Sequence, residues 1–490
     1  MDMDECNSDT LAPDNQAYVE VEFFTAVNKN DLDTVDRVLT EGRVDVNKFN
    51  IMHKAAIYFA VQNESVPMVE LLISHNADLG LQSYCNIYCN YETPLITAAR
   101  IRNMELVELL LAHGCALECS SDTASLRRDY KSALQWAAGF GDLGMAELLL
   151  AHGADVNWVG PHFFTALHYA AAADQCGMVE WLVSRGARAT INGDARTPLH
   201  ISAARGNFAI TKFLLQNGCR PDARDCFSFT PFGLACLRGH AQIVQFIYDN
   251  YASAFALDLN DGLQRAAECG YAHIMAYLIE KGADVNARNQ HGETAISIAA
   301  HGRVGQKHMY GAVKLLIDHG ACINVVESRG HTPLTMSLLR EEGDIAALLI
   351  KHGAALDAVS DTVECPLFLA FSTSNALLVK YLIQAGCHFC TQPWFNGKAA
   401  SEKITEMDFL MPGPTRFRRD SGRQKETWRW IKSRMGQPRS LAQLTRRCVR
   451  QYVSARVTSG ASVLPVIDAL PLPTCIRKYL ALEDVLQEQR

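Results

Sequence analysis

The chain has 490 residues and a formal net charge of −7, and 48% of its residues are hydrophobic. This composition predicts a folded protein and argues against general disorder. The acidic start MDMDECNSDT has no apolar h-region, and no run of about 18 apolar residues occurs, so we expect neither a secretory signal peptide nor a membrane span. The 16 cysteines are scattered, and we expect reduced, buried thiols at positions such as Cys236 and Cys269.

Residues 1–21 are predicted to be a flexible leader, after which repeated segments begin. The first segment, FFTAVNKNDLDTVDRVLTEG from Phe23 to Gly42, lacks the opening signature of the later copies, as an end-capping repeat often does. The second segment closes at Asn76. We expect this asparagine to take the left-handed conformation that glycine usually adopts at a helix end.

The clearest repeat runs from Thr197 to Asp222, TPLHISAARGNFAITKFLLQNGCRPD. Thr197 can act as an N-cap, and Pro198 suits the first helical position. Gly206 permits a tight break between two helices, and Gly218 suits the left-handed end of the second. One such helix pair cannot bury both of its faces alone, so it must stack on copies of itself.

The repeat recurs with a period close to 33 residues, which separates Gly153 from Gly186 and Gly320 from Gly353. A 33-residue period with a T-P-L-H-type start resembles the ankyrin repeat. The fold class that this resemblance implies is all-α, an ankyrin-repeat solenoid of about eleven helix-turn-helix repeats with β-hairpin loops over residues 22–390. The opening signature starts at Thr93, Ser132, Thr165, Thr197, Thr230, Thr294 and Thr332.

Three stretches are longer than this period requires. Leu79–Glu92 and Glu118–Lys131 fall where ankyrin repeats carry projecting hairpins, and Gly302–Gly311 falls between paired helices. The first two are candidates for the surface that binds a target protein. The alternative that they are tolerated loop insertions stays equally open.

Residues 391–437 break the period and are predicted to form a cap or linker. From Arg416 to Arg456 there are 13 Lys/Arg and two acidic residues, which leaves 33 basic and 51 acidic residues in the remaining chain. Such a segment could bind nucleic acid or act as a nuclear-import signal. Because it also contains core-type residues such as Trp428, we favour an element docked on its own acidic neighbour or a solvated helix face.

The C-terminal segment begins with a helix-start signal at Ser440, whose capping-box partner is Gln443. An apolar stripe follows on one helix face, and the sequence LPLP at Leu470–Pro473 comes after it. The prolines forbid a continuing helix and favour an extended segment that presents leucines. Taken singly, the stripe could be a terminal helix packed on the last repeat, and LPLP could be a linker.

Together and in this order, the two parts resemble a SOCS box at residues 438–490, and the chain resembles the ankyrin repeat and SOCS box family. PRSLAQLTRRCVR resembles the BC box (438–453), the helix that binds Elongin C in this family. IDALPLPTCIRKYL resembles the cullin box of the cullin-5 type (466–482). The resemblance implies an Elongin C contact through Leu441, Leu444, Thr445, Val449 and Val453, and a cullin contact through Leu470, Pro471, Leu472, Pro473, Ile476 and Leu480.

Thr445 departs from the family pattern, which usually has cysteine at this position. Threonine is similar in size but adds a hydroxyl group, which either weakens Elongin C binding or bonds to the helix backbone. We expect binding to be retained, because Leu441 and the LPLP sequence are both present.

The sequence contains no strong motif for catalysis, metal binding or cofactor binding. His168 and His200 occupy the H of the T-P-L-H signature, where we expect hydrogen bonds within the turn rather than catalysis. The C-x-x-C at Cys387–Cys390 lacks the second ligand pair that a structural zinc requires. P-loop, G-x-S-x-G and H-E-x-x-H sequences are absent. We therefore predict a non-catalytic protein without a metal or cofactor.

The family resemblance implies a substrate-recognition adaptor of a cullin–RING ubiquitin ligase. The ankyrin array would hold an unidentified target protein. The SOCS box would bind Elongin B and Elongin C and cullin-5 with its RING protein, so that the target is ubiquitinated by proximity and degraded by the proteasome.

Two alternatives to this function stay open. One is an ankyrin scaffold that sequesters a protein partner without a ligase. The other is a nucleic-acid-associated regulator, against which the negative net charge argues. We expect a cytoplasmic protein that binds neither membrane nor nucleic acid, with the nucleus as a second location.

Overall fold

A computed structural model describes residues 13–85, 90–118, 131–160, 163–190, 196–253, 257–302, 306–356, 366–372 and 376–385. The chain divides into two compact units, Met1–Pro231 and Phe232–Arg490. The predicted linker 391–437 and the predicted SOCS box 438–490 lie outside the described residues.

The first unit consists of successive helix pairs and one β-hairpin. Strands β1 (Ser83–Cys85) and β2 (Asn90–Glu92) pair antiparallel, with Tyr84 opposite Tyr91. This hairpin lies within the long stretch Leu79–Glu92, where the ankyrin resemblance predicts one. The helices are α1 (Pro13–Lys29), α2 (Leu32–Thr40), α3 (Ala56–Gln62), α4 (Val66–Ser74), α5 (Pro94–Ile101), α6 (Met104–Ala112), α7 (Ala133–Phe140), α8 (Leu143–Ala151), α9 (Ala166–Ala172), α10 (Cys176–Ser184), α11 (Pro198–Arg205) and α12 (Phe208–Gln216).

The second unit continues the same alternation of paired helices, the first of which begins at the unit boundary. Together, the described residues of the two units contain eleven helix pairs, in agreement with the expected repeat number. The helices are α13 (Pro231–Arg238), α14 (Ala241–Tyr251), α15 (Leu259–Cys269), α16 (Ala272–Glu280), α17 (Ala295–His301), α18 (Gln306–Asp318), α19 (Pro333–Leu339), α20 (Gly343–Lys351), α21 (Pro366–Ser372) and α22 (Ala376–Ala385).

Within each unit, the first helix of one pair packs on the first helix of the next. Helices α3, α5, α7, α9 and α11 form one such row, and α15, α17, α19 and α21 form another. Ala137 and Ala138 of α7 and Ala170 and Ala171 of α9 are fully buried. Because alanine has a minimal side chain, it lets these helices approach closely and bury their apolar faces. The all-α ankyrin fold is thereby confirmed.

The structure corrects the predicted leader. Helix α1 begins at Pro13, so the leader predicted for residues 1–21 is too long. Val19 and Phe23, four residues apart, are both buried, and α1 contacts α2 and α3. The N-terminal part of α1 carries no T-P-L-H signature, and tertiary packing rather than a local motif extends this helix.

Several local expectations are confirmed. Asn76 has a φ of 61° in the left-handed region, and Cys236 is fully buried, whereas Cys269 is only half-buried. The long stretch Gly302–Gly311 begins directly after α17. Its residues from Gln306 onward belong to α18, which has 13 residues, more than most second helices.

Two glycines of the second unit differ in what surrounds them. Gly270 has a φ of +75°, and a Cβ atom there would lie 3.1 Å from the carbonyl carbon of His308 and 2.7 Å from Sδ of Met309. Gly282 has a φ of +97°, and a Cβ atom there would meet nothing within 4 Å. Both positions therefore strain any other residue, but only Gly270 also adds a clash with backbone.

We predict that Gly270→Ala is more destabilising than Gly282→Ala. Gly282→Ala, the control, should lower the free energy of unfolding by about 1–2 kcal/mol through left-handed strain alone. G270A should lower it by about 1–3 kcal/mol more, because the neighbouring backbone must move. Urea unfolding followed by circular dichroism measures both, and equal midpoints for the two variants would contradict the predicted clash.

Candidate protein-binding surface

The side chain of His200 joins the start of helix α11 to the loop that follows helix α12. Nδ1 of His200 accepts the amide N–H of Thr197 at 3.1 Å and lies 2.8 Å from the Thr197 hydroxyl, completing a capping box. Nε2 lies 3.0 Å from the carbonyl oxygen of Ala223 and 3.2 Å from that of Phe229. Because Nδ1 accepts a hydrogen bond and Nε2 faces two carbonyl oxygens, His200 is the neutral tautomer with its proton on Nε2.

The same bridge recurs with different residue types. His168 contacts the Arg196 carbonyl oxygen at 2.9 Å, and the amides of Gln135 and Gln264 donate to carbonyl oxygens of Phe164 and Ala287 at 2.7 and 2.9 Å. The structural role expected for His168 and His200 is therefore confirmed. Each bridge holds a loop in place, so these residues support the binding surface rather than form it.

Beneath the β-hairpin lies a buried polar cluster. The carboxylate of Glu92 is fully buried and accepts hydrogen bonds from Nε of Arg100 at 3.0 Å and from the Thr97 hydroxyl at 3.2 Å. Tyr58 hydrogen-bonds Cys85 at the end of β1, and burial together with this bond raises the pKa of Tyr58 above its usual value. These contacts fix the base of the hairpin.

The tips of three loops in the first unit expose large apolar side chains. Ile51 and Met52 lie in the turn from Asn50 to Lys54 and are 96% and 56% exposed. Phe163 and Phe227 lie in corresponding turns and are 57% and 66% exposed. Single exposed apolar residues are common on protein surfaces, but their recurrence at equivalent loop tips favours a binding role. We call Ile51, Met52, Phe163 and Phe227 the apolar tips.

Cations of the first unit also lie over aromatic rings. Nζ of Lys131 is 4.4 Å from the centroid of the Trp136 ring and 4.5 Å from that of Tyr169. The guanidinium of Arg102 is 5.5 Å from the centroid of Phe140. Aromatic and arginine side chains are enriched at protein interfaces, so this part of the first unit has a suitable composition for one.

The apolar tips and the aromatic contacts were not predicted from the sequence. The loop residues show no helical periodicity, and the only available signal was apolar residues at tips that normally hold polar ones. Of the two stretches proposed as target-binding surfaces, the first contains the hairpin, and residues 119–130 of the second lie outside the described residues.

The predicted Elongin C and cullin contacts all lie outside the described residues, as does the C-x-x-C at Cys387–Cys390. In the part of the chain that is described, no group of three or more His, Cys, Asp and Glu side chains is arranged to hold a metal ion. Among the described helices, none is long and apolar enough to cross a membrane.

Comparison with protein families assigns both parts of the chain. The ankyrin-repeat model matches residues 57–158, 116–193, 167–261 and 305–393, and a single-repeat ankyrin model matches 263–290. The SOCS-box model matches residues 437–481. The chain belongs to the ankyrin repeat and SOCS box family. This architecture is typical of non-catalytic adaptors.

Individual relatives share the repeats. Ankyrin repeat domain-containing protein SAT10 of Stachybotrys chartarum is 23% identical over 45% of this chain and 13% of its own length. The probable 26S proteasome regulatory subunit p28 of Saccharomyces cerevisiae is 31% identical over 32% of this chain and 69% of its own length. The crystal structure of the human ASB11 ankyrin repeat domain matches at 24% identity with a TM-score of 0.39, over 46% of this chain and 97% of that one.

We predict that His200→Gln keeps the bridge and changes the pH dependence of stability. Burial lowers the pKa of His200 below its usual value of 6.5, so the folded state binds fewer protons than the unfolded state. The contribution of His200 to stability is therefore present above pH 6.5 and is lost as pH falls through the lowered pKa.

Glutamine already forms this bridge at Gln135 and Gln264, so H200Q should fold and should lose less stability between pH 7.5 and pH 5.5 than wild type. His200→Ala should cost about 1–3 kcal/mol, because it leaves buried backbone groups without a partner. Urea midpoints at both pH values test this. A wild-type pH dependence in H200Q would exclude His200 as its source.

Proposed function

We propose that this protein is a substrate-recognition adaptor of a ubiquitin ligase built on Elongin B, Elongin C and cullin-5. The observation that carries the proposal is the presence of ankyrin repeats and a SOCS box at 437–481 in one chain. In this family the BC box binds Elongin C and the cullin box binds cullin-5 with its RING protein. The repeats then hold the target protein.

The adaptor promotes ubiquitination by position rather than by chemistry of its own. A bound target presents its lysine side chains near the thioester of the conjugating enzyme that the RING protein recruits. Holding two reactants together replaces a bimolecular encounter with a reaction at high effective concentration. No side chain of this chain has to transfer a proton or form a covalent intermediate, and proteasomal degradation of the target follows.

The apolar tips of the first unit form the surface that we propose for the target. They are exposed, they lie at equivalent loop tips, and the loops of Phe163 and Phe227 are held by the buried bridges of Gln135 and His200. Rigidly held apolar residues bind a partner at low entropic cost. In the second unit the corresponding turns carry Gln290 and Arg329, which are polar, so the two units are expected to contact different parts of a target.

The alternative function is an ankyrin scaffold that sequesters a partner without promoting its ubiquitination. Both functions use the same repeat surface and differ only in the role of the SOCS box. Deleting residues 438–490 would leave the abundance of a merely sequestered partner unchanged, whereas a ligase target would accumulate.

We predict that Leu441→Asp abolishes copurification of Elongin C. In the resemblance to the BC box, Leu441 enters the Elongin C pocket, and a buried unpaired carboxylate there is strongly unfavourable. Leu486→Asp, beyond the matched SOCS box, is the control and should copurify Elongin C like wild type. Quantitative mass spectrometry of the purified complexes measures both, and retention of Elongin C by L441D would rule out the assignment.

We also predict that Ile51→Asp, Phe163→Asp and Phe227→Asp, combined, prevent target capture without affecting Elongin C. Three carboxylates on the apolar tips replace favourable apolar burial with a desolvation cost. Proximity labelling should show proteins that accumulate with L441D and are no longer labelled when the three tip substitutions are added. If L441D alone and L441D with the three tip substitutions labelled the same proteins, the target would bind at another surface.

A further inference from the structure

Equivalent loop positions in the two units hold different charged pairs. In the first unit, Arg196 precedes the helix-opening Thr197, and Asp225 begins the turn of the next loop. Nε of Arg196 lies 3.0 Å from Oδ2 of Asp225, whose side chain is 0% exposed while that of Arg196 is 41% exposed. An arginine therefore enters this junction from the surface and neutralises a buried carboxylate.

In the second unit, the corresponding positions hold two carboxyl groups. Glu293 precedes the helix-opening Thr294, and Glu327 begins the turn of the next loop, where its amide donates to the carbonyl oxygen of His331 at 3.0 Å. The two loops adjoin here, because the amide of Ser328 donates to the carbonyl oxygen of His291 at 3.2 Å, and Glu293 raises the pKa of Glu327. At the position where the first unit supplies its own cation, the second unit supplies a second acid.

The Glu327 carboxyl group is buried and incompletely satisfied. Its residue is only 7% exposed, and Oε1 has no hydrogen-bond partner among the described residues. Asp225 uses Oδ1 to accept the amides of Phe227 and Phe229 at 2.9 and 2.8 Å. Glu327 is one methylene longer than Asp225, and no described amide donates to its Oε1. A buried acceptor without a partner costs free energy, so this junction is prepared for a donor.

The charged and titratable groups around Glu327 do not replace that donor. Nη1 of Arg288 donates to the carbonyl oxygen of Val326 at 3.2 Å. Arg329 is a cation on the same turn as Glu327, and it lowers the Glu327 pKa by less than burial and Glu293 raise it. Burial lowers the pKa of His331, so that side chain is neutral near pH 7.

We propose that the Glu293–Glu327 junction binds an arginine side chain of the target protein. The proposal rests on the adaptor function, because it assigns one contact of the target that the repeats hold. A guanidinium supplies several N–H donors in one plane and can bond both carboxylates, as Arg196 does for the single carboxylate of Asp225. A lysine ammonium is more strongly hydrated and does not offer the planar pair of donors, so arginine is favoured.

Binding should depend on pH in a defined direction. Burial and the neighbouring Glu293 raise the pKa of Glu327 to about 7. At lower pH the Glu327 carboxyl group is protonated and carries no negative charge for a cation to neutralise. As pH rises through 7, Glu327 ionises, and a guanidinium should bind more tightly and release the proton that Glu327 held at neutral pH.

Calorimetry on the full chain tests the site with N-acetyl-arginine amide as the probe. N-acetyl-citrulline amide is its uncharged analogue, and N-acetyl-lysine amide is its compact cationic counterpart. We expect the arginine probe to bind at least about tenfold more tightly than the citrulline probe, as loss of a charged hydrogen bond implies. At pH 7, titration in two buffers of different ionisation enthalpy should reveal proton release, which should vanish at pH 8.5.

Two variants and one control locate the binding to the junction. Glu293→Arg supplies an internal cation, as Arg196 does, and should abolish probe binding while leaving the fold intact. Glu327→Gln keeps the side-chain size and should weaken binding and remove proton release. Glu341→Gln, at an exposed acid of the same unit, should bind the probe like wild type.

Equal binding of the arginine and citrulline probes, or wild-type binding by E293R, would overturn the proposal. If the lysine probe bound more tightly than the arginine probe, the junction would be a site for ammonium groups, and the proposed arginine site would be excluded. Failure of the adaptor function is detected separately, since E293R and E327Q should leave Elongin C copurification unchanged. Conversely, L441D should leave binding of the arginine probe unchanged.

Discussion

The structure depends on one hydrogen-bonding constraint, the satisfaction of backbone groups at the start of each first helix and in the loop that follows its pair. At Gln135, His168 and His200, a single side chain at the fourth position of the opening signature meets both needs. His200 caps its own helix through Nδ1 and bonds the next loop through Nε2, and Gln135 does the same through the two ends of its amide. An alanine at any of these three positions would remove both hydrogen bonds at once.

This constraint separates supporting residues from binding residues. The signature side chains that make these bridges and the stacked alanines are committed to the fold. The residues at the loop tips make no such contribution and are free to differ. Ile51 and Phe227 in the first unit, against Gln290 and Arg329 in the second, illustrate how one scaffold presents different chemistry from equivalent loops.

Three buried carboxylates at the loop junctions differ in how their negative charge is compensated. Glu92 is neutralised within its own repeat by Arg100, and Asp225 is neutralised by Arg196 from the preceding loop. Glu327 faces another acid and keeps an unsatisfied oxygen. Oε1 of Glu92 likewise has no hydrogen-bond partner among the described residues. Burying an ion requires an opposite charge or a proton, so the charges of Glu92 and Asp225 are compensated within the chain, whereas Glu327 depends on protonation or on a bound cation.

The sequence by itself determined the repeat architecture, because the period, the helix caps and the glycine or asparagine at helix ends are local features whose conformational preferences are intrinsic. Asn76 in its left-handed conformation and the roles of His168 and His200 follow from such preferences. The SOCS box is also recognisable from sequence, since its motifs are short and ordered along the chain.

Only the tertiary structure decided where α1 begins and which charged residues meet. Helix α1 is extended by burial of Val19 against helices that lie later in the chain. The pairing of Glu293 with Glu327 joins residues from two successive loops, and its consequence depends on burial, which no local pattern reports. Contacts between distant residues arise from stacking, so the sequence shows the two acids but not that they share one buried junction.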